Sequence, residues 1–120
     1  MRRLAGHARA DVGAQLRRRH ELVRDLVMIV ERYAAHERGA IESVVDARAA
    51  AMSASTPEAG SAAALDLSAA LGRIFALAES YPHLRADEHF GRLYASLMEI
   101  EQTMQGVKGG GFGCGGGGGF

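Results

Sequence analysis

The sequence has no tryptophan, one cysteine, two prolines and an aromatic content of only 6%. The lone Cys114 excludes an intramolecular disulfide and offers no thiolate framework for a metal. Two prolines leave few points at which a helix must stop. No window approaches the roughly 18 consecutive apolar residues of a membrane span. The start does not read as a signal peptide, because Met1-Arg2-Arg3 runs into His7, Arg9 and Asp11 where an apolar stretch would stand. An excess of one charge is also missing: 14 basic side chains balance 14 acidic ones, which argues against a generic nucleic-acid coat.

What is present favours helix. Alanine, leucine, arginine and glutamate dominate up to about residue 107, and 48% of the 120 residues are hydrophobic, enough for the core of one domain. The balanced charge is unevenly placed. Residues 1–24 hold seven arginines against Asp11 and Glu21, a net +5, whereas residues 25–107 hold six arginines against twelve acids, a net −6. A basic head on an acidic body predicts contact with something anionic.

From Asp11 to Met52 only Gly39 interrupts a helical pattern, and one glycine costs about 1 kcal/mol without ending a helix. Leu16, Leu22, Val23, Leu26, Ile29, Val30, Tyr33, Ile41 and Val44 recur at three and four spacing. The expectation is one first helix of about 60 Å. The segment SASTPEAGS (53–61) ends it, and Thr56-Pro57-Glu58 reads as N-cap, first helical residue and first-turn acid of a second helix. That helix carries Leu67, Leu71, Ile74, Ala78 and Tyr81 on one face and closes at Tyr81-Pro82. Asp87 then caps a third helix with Phe90, Leu93, Leu97, Ile100 and Met104 in a heptad seam. Nine of residues 109–120 are glycine, so 108–120 is expected to be a disordered tail beyond a domain at 1–107.

The predicted fold is therefore all-α: an antiparallel up-down helical bundle with one long N-terminal helix and two shorter ones. Helices of about 30–36 Å cover only the second half of a 60 Å partner. Leu16, Leu22, Val23 and Leu26 are then expected to lack an intramolecular partner and to drive self-association through the N-terminal half of helix 1.

His36-Glu37 opens like half of a zinc-protease helix, but position 40, where the second histidine belongs, is Ala40. A surface or interhelical polar pair is the simpler reading. His7, His20, His83 and His89 have no spacing that converges on an ion, although His83 and His89 approach each other near the turn between the second and third helices. No serine sits in a nucleophile elbow, and Cys114 has no base beside it. Hence no catalytic residue, cofactor or metal site is expected. Arg17-Arg18-Arg19 spread over about 200–300° of a helical wheel and cannot share one nucleic-acid groove. Arg19 is expected along the seam. Arg17, Arg18 and Arg24 are the candidate contacts for anionic lipid or a partner, each contributing about 1 kcal/mol at a charged membrane.

Two blocks carry a family resemblance. The first is Gln15-Leu16-Arg17-Arg18-Arg19-His20-Glu21-Leu22-Val23, continuing through Leu26-Val27 to Arg32-Tyr33-Ala34-Ala35-His36-Glu37. The second is Leu77-Ala78-Glu79-Ser80-Tyr81-Pro82-His83-Leu84-Arg85-Ala86-Asp87-Glu88-His89-Phe90, then Leu93, Leu97 and Glu101. Across about residues 11–105 the chain resembles the LemA family of bacterial membrane-associated helical proteins. The resemblance gives His36-Glu37 no zinc meaning. It implies a membrane-spanning helix upstream of the first long helix and a further C-terminal segment, and the chain is expected to lack both. Arg24-Asp25 replaces a common proline-asparagine, which predicts a straighter first helix.

The function so implied is that of a non-enzymatic, membrane-associated scaffold or interaction protein, partnered by an anionic membrane surface or a membrane protein and not by nucleic acid. Two alternatives come from other classes. One is a metal-dependent hydrolase using His36, His83 and His89; the other is a nucleic-acid binder acting through the arginine-rich head.

Overall fold

The computed structural model describes residues 13–104 in full and, of residues 2–12 and 105–119, the backbone alone. The expected disordered tail at 108–120 lies outside the fully described residues. The fold is all-α, a bundle of α1 (Arg2–Ala34), α2 (Arg38–Ser53), α3 (Pro57–Ala78), the short α4 (Pro82–Ala86) and α5 (Glu88–Gly119).

The expected single first helix is two helices. The chain leaves helical geometry at Ala35–Glu37, where Glu37 takes φ −85° and ψ 59°. It then turns back, since Arg48 Nε on α2 donates to the carbonyl of His20 on α1 at 2.7 Å. In a continuous helix those residues would stand about 42 Å apart. Local signals could not show this break. Ala34 and Ile41 remain seven positions apart, so the apolar stripe runs in phase through the turn. The physical cause is tertiary: folding back buries the stripes of α1 and α2 in one core with α3 and α5.

The remaining boundaries follow local chemistry, except that α3 stops at Ala78, short of the expected Tyr81, and the short α4 stands where a plain turn was expected. Thr56 caps α3 by accepting from the Ala59 N–H at 3.1 Å, with Pro57 at the first turn. Tyr81, ahead of Pro82, sits at φ −123°, outside the helical region. Asp87 Oδ1 accepts from the backbone N–H groups of His89 (2.8 Å) and Phe90 (3.1 Å) and so caps α5.

Leu67, Leu71, Ile74 and Ala78 of α3 meet Phe90, Leu93 and Leu97 of α5 in the core, together with Ile41 and Val44 of α2. Phe75 stands edge-on to Tyr94, with ring centroids 4.7 Å apart. The predicted bare N-terminal arm is overturned in its central part. Val23 and Leu26 are 0% and 1% exposed and Leu22 is half-buried, because α1 packs along α5. Only Leu16 of that set, 36% exposed, stays largely open.

The hydropathy reading of the sequence is unchanged by α3, which holds Asp66 and Arg73. Although no unbroken apolar run exists, α3 is long and apolar enough to cross a membrane by length and composition. One of its faces is buried in the bundle.

Candidate functional site

The two blocks singled out in the sequence meet at the turn between α1 and α2. Tyr81, placed just before Pro82, donates its hydroxyl proton to Glu37 Oε2 at 2.6 Å. His36 Nε2 lies 2.8 Å from the same hydroxyl oxygen. A phenol has one proton to give, so His36 must carry its own on Nε2 and donate it to Tyr81 Oη. Beside this trio Tyr33 Oη donates to Asp87 Oδ2 at 2.6 Å. Asp87 thus joins the end of α1 to the start of α5 while capping the latter.

These bonds set the local electrostatics. The hydrogen bond to Glu37, then burial and the Glu37 charge, push the Tyr81 hydroxyl above its ordinary value. The bond to Asp87 does the same to Tyr33, with burial adding to it. Asp87 is held below the usual carboxylate range by the Tyr33 hydroxyl first and the Phe90 N–H second. Each shift favours the protonation state that keeps its bond, so the cluster clamps the turn.

A second polar cluster lies across the bundle. Arg19, 1% exposed, gives Nη2 to Ser68 Oγ (2.6 Å) and Glu101 Oε2 (2.5 Å), and Ser68 donates to Glu101 Oε1 at 2.8 Å. Three helices are tied by one guanidinium. The seam position of Arg19 was legible in the sequence, but the roles of Ser68 and Glu101 were not. The available signal was an arginine inside an apolar stripe, which demands a buried acid on a facing helix. Next to it the Gln15 Oε1 and Arg19 Nε atoms are buried without hydrogen-bond partners among the described residues.

The candidate contact residues Arg17, Arg18 and Arg24 are all exposed. Arg17 and Arg24 are seven positions apart and share one face of α1, whereas Arg18 points about 100° away. Met28, 63% exposed, continues the Arg17–Arg24 face, and Glu21 lies between the two arginines on it. The Arg24–Asp25 contact of 3.7 Å is an exposed pair of little strength.

His83 and His89 are exposed at the α4–α5 corner and are not brought together with His36 into a ligand set. Among the described residues, no three His, Cys, Asp or Glu side chains form a group able to hold a metal. His7 and Cys114 lie outside the fully described residues. A surface groove of about 500 Å³ lies between α2 and α3, lined by Ser43, Asp46, Asp66, Arg73 and small alanines.

No curated protein matches the chain. The family model described as LemA matches residues 8–108, a span holding both sequence blocks, the clamp they form at the turn and the buried Arg19 cluster. This chain belongs to the LemA family.

Proposed function

We propose that the protein is a membrane-associated scaffold or interaction protein of the LemA type, with no reaction of its own. The observation that carries this reading is the basic head. Arg17, Arg18 and Arg24 stand exposed on α1 in a segment of net +5, while the rest of the helical body is acidic. Anionic lipid headgroups attract such a segment by about 1 kcal/mol per arginine near the surface. Family membership supports the same reading, because LemA proteins are membrane-associated.

The polar groups that cluster in the fold are engaged in holding it. Tyr81, Glu37 and His36 bond one another, as do Tyr33 and Asp87. The exposed helix surfaces then remain for partners.

Vesicle flotation of the full chain tests the proposal. Binding to vesicles containing phosphatidylglycerol is expected at low salt, fading as ionic strength rises to the physiological range, where the Debye length falls to about 8 Å. Equal binding to neutral vesicles at high salt would sink the idea.

A further inference from the structure

The sequence of α3 is apolar on two opposite faces, and the bundle uses only one. Ala63, Leu67, Ala70, Leu71, Ile74 and Ala78 are buried. On the other side Ala62, Leu65, Ala69, Gly72 and Ala76 are all exposed, with Leu65 at 59%. At about 100° per residue these five positions fall within about 80° of the helix circumference. Helices that are apolar all round are ordinarily covered all round. This one is covered on one side.

Asp66 and Arg73 flank the stripe on a common edge, both exposed and two helical turns apart. Their placement and that of the apolar residues are centred on Ala69 to within half a residue. Reversing the helix about that point sets Ala62 against Ala76, and brings Leu65 within one residue of Gly72 and Asp66 within one residue of Arg73 on the same side of the contact. The largest side chain of the stripe therefore lies beside its one missing side chain, and each acid beside a base.

We propose that a second copy of this chain docks here, α3 against α3 and antiparallel, about a two-fold axis at Ala69. The contact is isologous, so every favourable pair occurs twice. Small residues at Ala62, Ala69 and Ala76 let the two backbones approach closely, toward the lower end of the 8–10 Å range of helix pairs. Leu65 of each copy fills the gap over Gly72 of the other. Arg73, which now gives Nη1 to Ser43 Oγ at 3.3 Å, swings outward to Asp66 of the second copy. One helix pair buries less than the roughly 1,600 Å² of a standard interface, so the dissociation constant is expected at about 10–100 μM. This dimer is independent of the membrane reading of the arginine head.

Sedimentation equilibrium of the full chain, carried up to several hundred micromolar, supplies the test. A monomer–dimer equilibrium is expected. Gly72→Leu is the deciding variant, because a Cβ at Gly72 meets nothing within 4 Å in the single chain. It should leave the monomer folded, by circular dichroism and thermal melting, and weaken dimerisation at least tenfold by colliding with Leu65 of the second copy. Asp66→Arg should weaken the dimer as well, and the exchange Asp66→Arg with Arg73→Asp should restore it. In a Cys114→Ser background, Ala69→Cys should form an intermolecular disulfide under diamide. A chain monomeric throughout overturns the proposal. So does a dimer indifferent to Gly72→Leu, or a monomer whose Leu65 face instead binds neutral vesicles.

Discussion

Arg19 Nη2 lies 2.5 Å from Glu101 Oε2, joining α1 to α5 from a side chain only 1% exposed. A guanidinium so buried is costly without its acid, because the attraction to Glu101 offsets the loss of water. Glu101→Ala is therefore expected to destabilise the fold by about 3–5 kcal/mol in urea unfolding. The pair Arg19→Leu with Glu101→Leu should lie much closer to the parent than the two single changes sum to, since removing both charges leaves neither stranded. Additive losses would mean that the two groups do not hold each other.

Amide exchange checks the reversal at Ala35–Glu37. Val23, Leu26 and Val30 share the core with Val44, Ile74 and Leu97. Their amides are expected to exchange as slowly as those three in a dilute solution. Fast exchange before about residue 27, with protection only beyond it, would restore a single long helix with a bare first half.

Much of the bundle was legible because local chemistry fixed it. Thr56-Pro57, Tyr81-Pro82 and Asp87 each mark a boundary by their own backbone or side-chain preferences, and the seams at Leu67–Ala78 and Phe90–Ile100 are periodic. The turn at Ala35–Glu37 was not legible, because what clamps it comes from Tyr81, about 45 positions away. Periodicity reports which face is apolar, and a reversal that keeps the phase leaves no mark in it. The His36-Glu37 pair was read as a surface or interhelical polar pair; it stands in a turn and bonds Tyr81, and nothing near it in sequence named that partner. Ser68 and Glu101 were silent for the same reason.

Mild acid should weaken the fold through His20. Burial first, then the charges of Arg19 and Arg48, lower its pKa from the ordinary 6.5. The unfolded chain thus takes up a proton more readily than the folded one. The contribution of neutral His20 is complete above about pH 6.5 and is lost as pH falls through the folded value. Urea midpoints at pH 7.5 and 5 should show the decline, and His20→Gln should flatten it. A parent chain with identical midpoints would refute the assignment.

A second loss is expected in stronger acid. The Asp87 carboxyl is held below its ordinary 3.8 by Tyr33 and by the Phe90 N–H, so the folded state favours its ionised form. Its contribution is present above about pH 3.8 and disappears as pH falls through the lowered value. Asp87→Asn keeps a side-chain oxygen for capping but cannot titrate. The stability gap between parent and variant should therefore narrow as pH drops from 5 to 2.5. A gap constant over that range would place the effect in packing, not charge.

The orientation of α1 on a charged bilayer makes the sharpest distinction among the arginines. Arg17, Arg24 and the exposed Met28 lie on one face, with Arg18 about 100° round. If that face meets the lipid, Arg17→Gln and Arg24→Gln should each reduce affinity for phosphatidylglycerol vesicles by about fivefold, following about 1 kcal/mol per arginine near the surface. Arg18→Gln should cost less, since its headgroup contacts are the more distant ones. Glu21 sits between the two arginines on the same face and repels anionic lipid, so Glu21→Gln should strengthen binding where the arginine changes weaken it. All four effects should shrink together as salt rises, because exposed charges are screened beyond a Debye length. If Arg18→Gln costs as much as both other arginines combined, while Glu21→Gln changes nothing, the contact lies a quarter-turn away and this assignment fails.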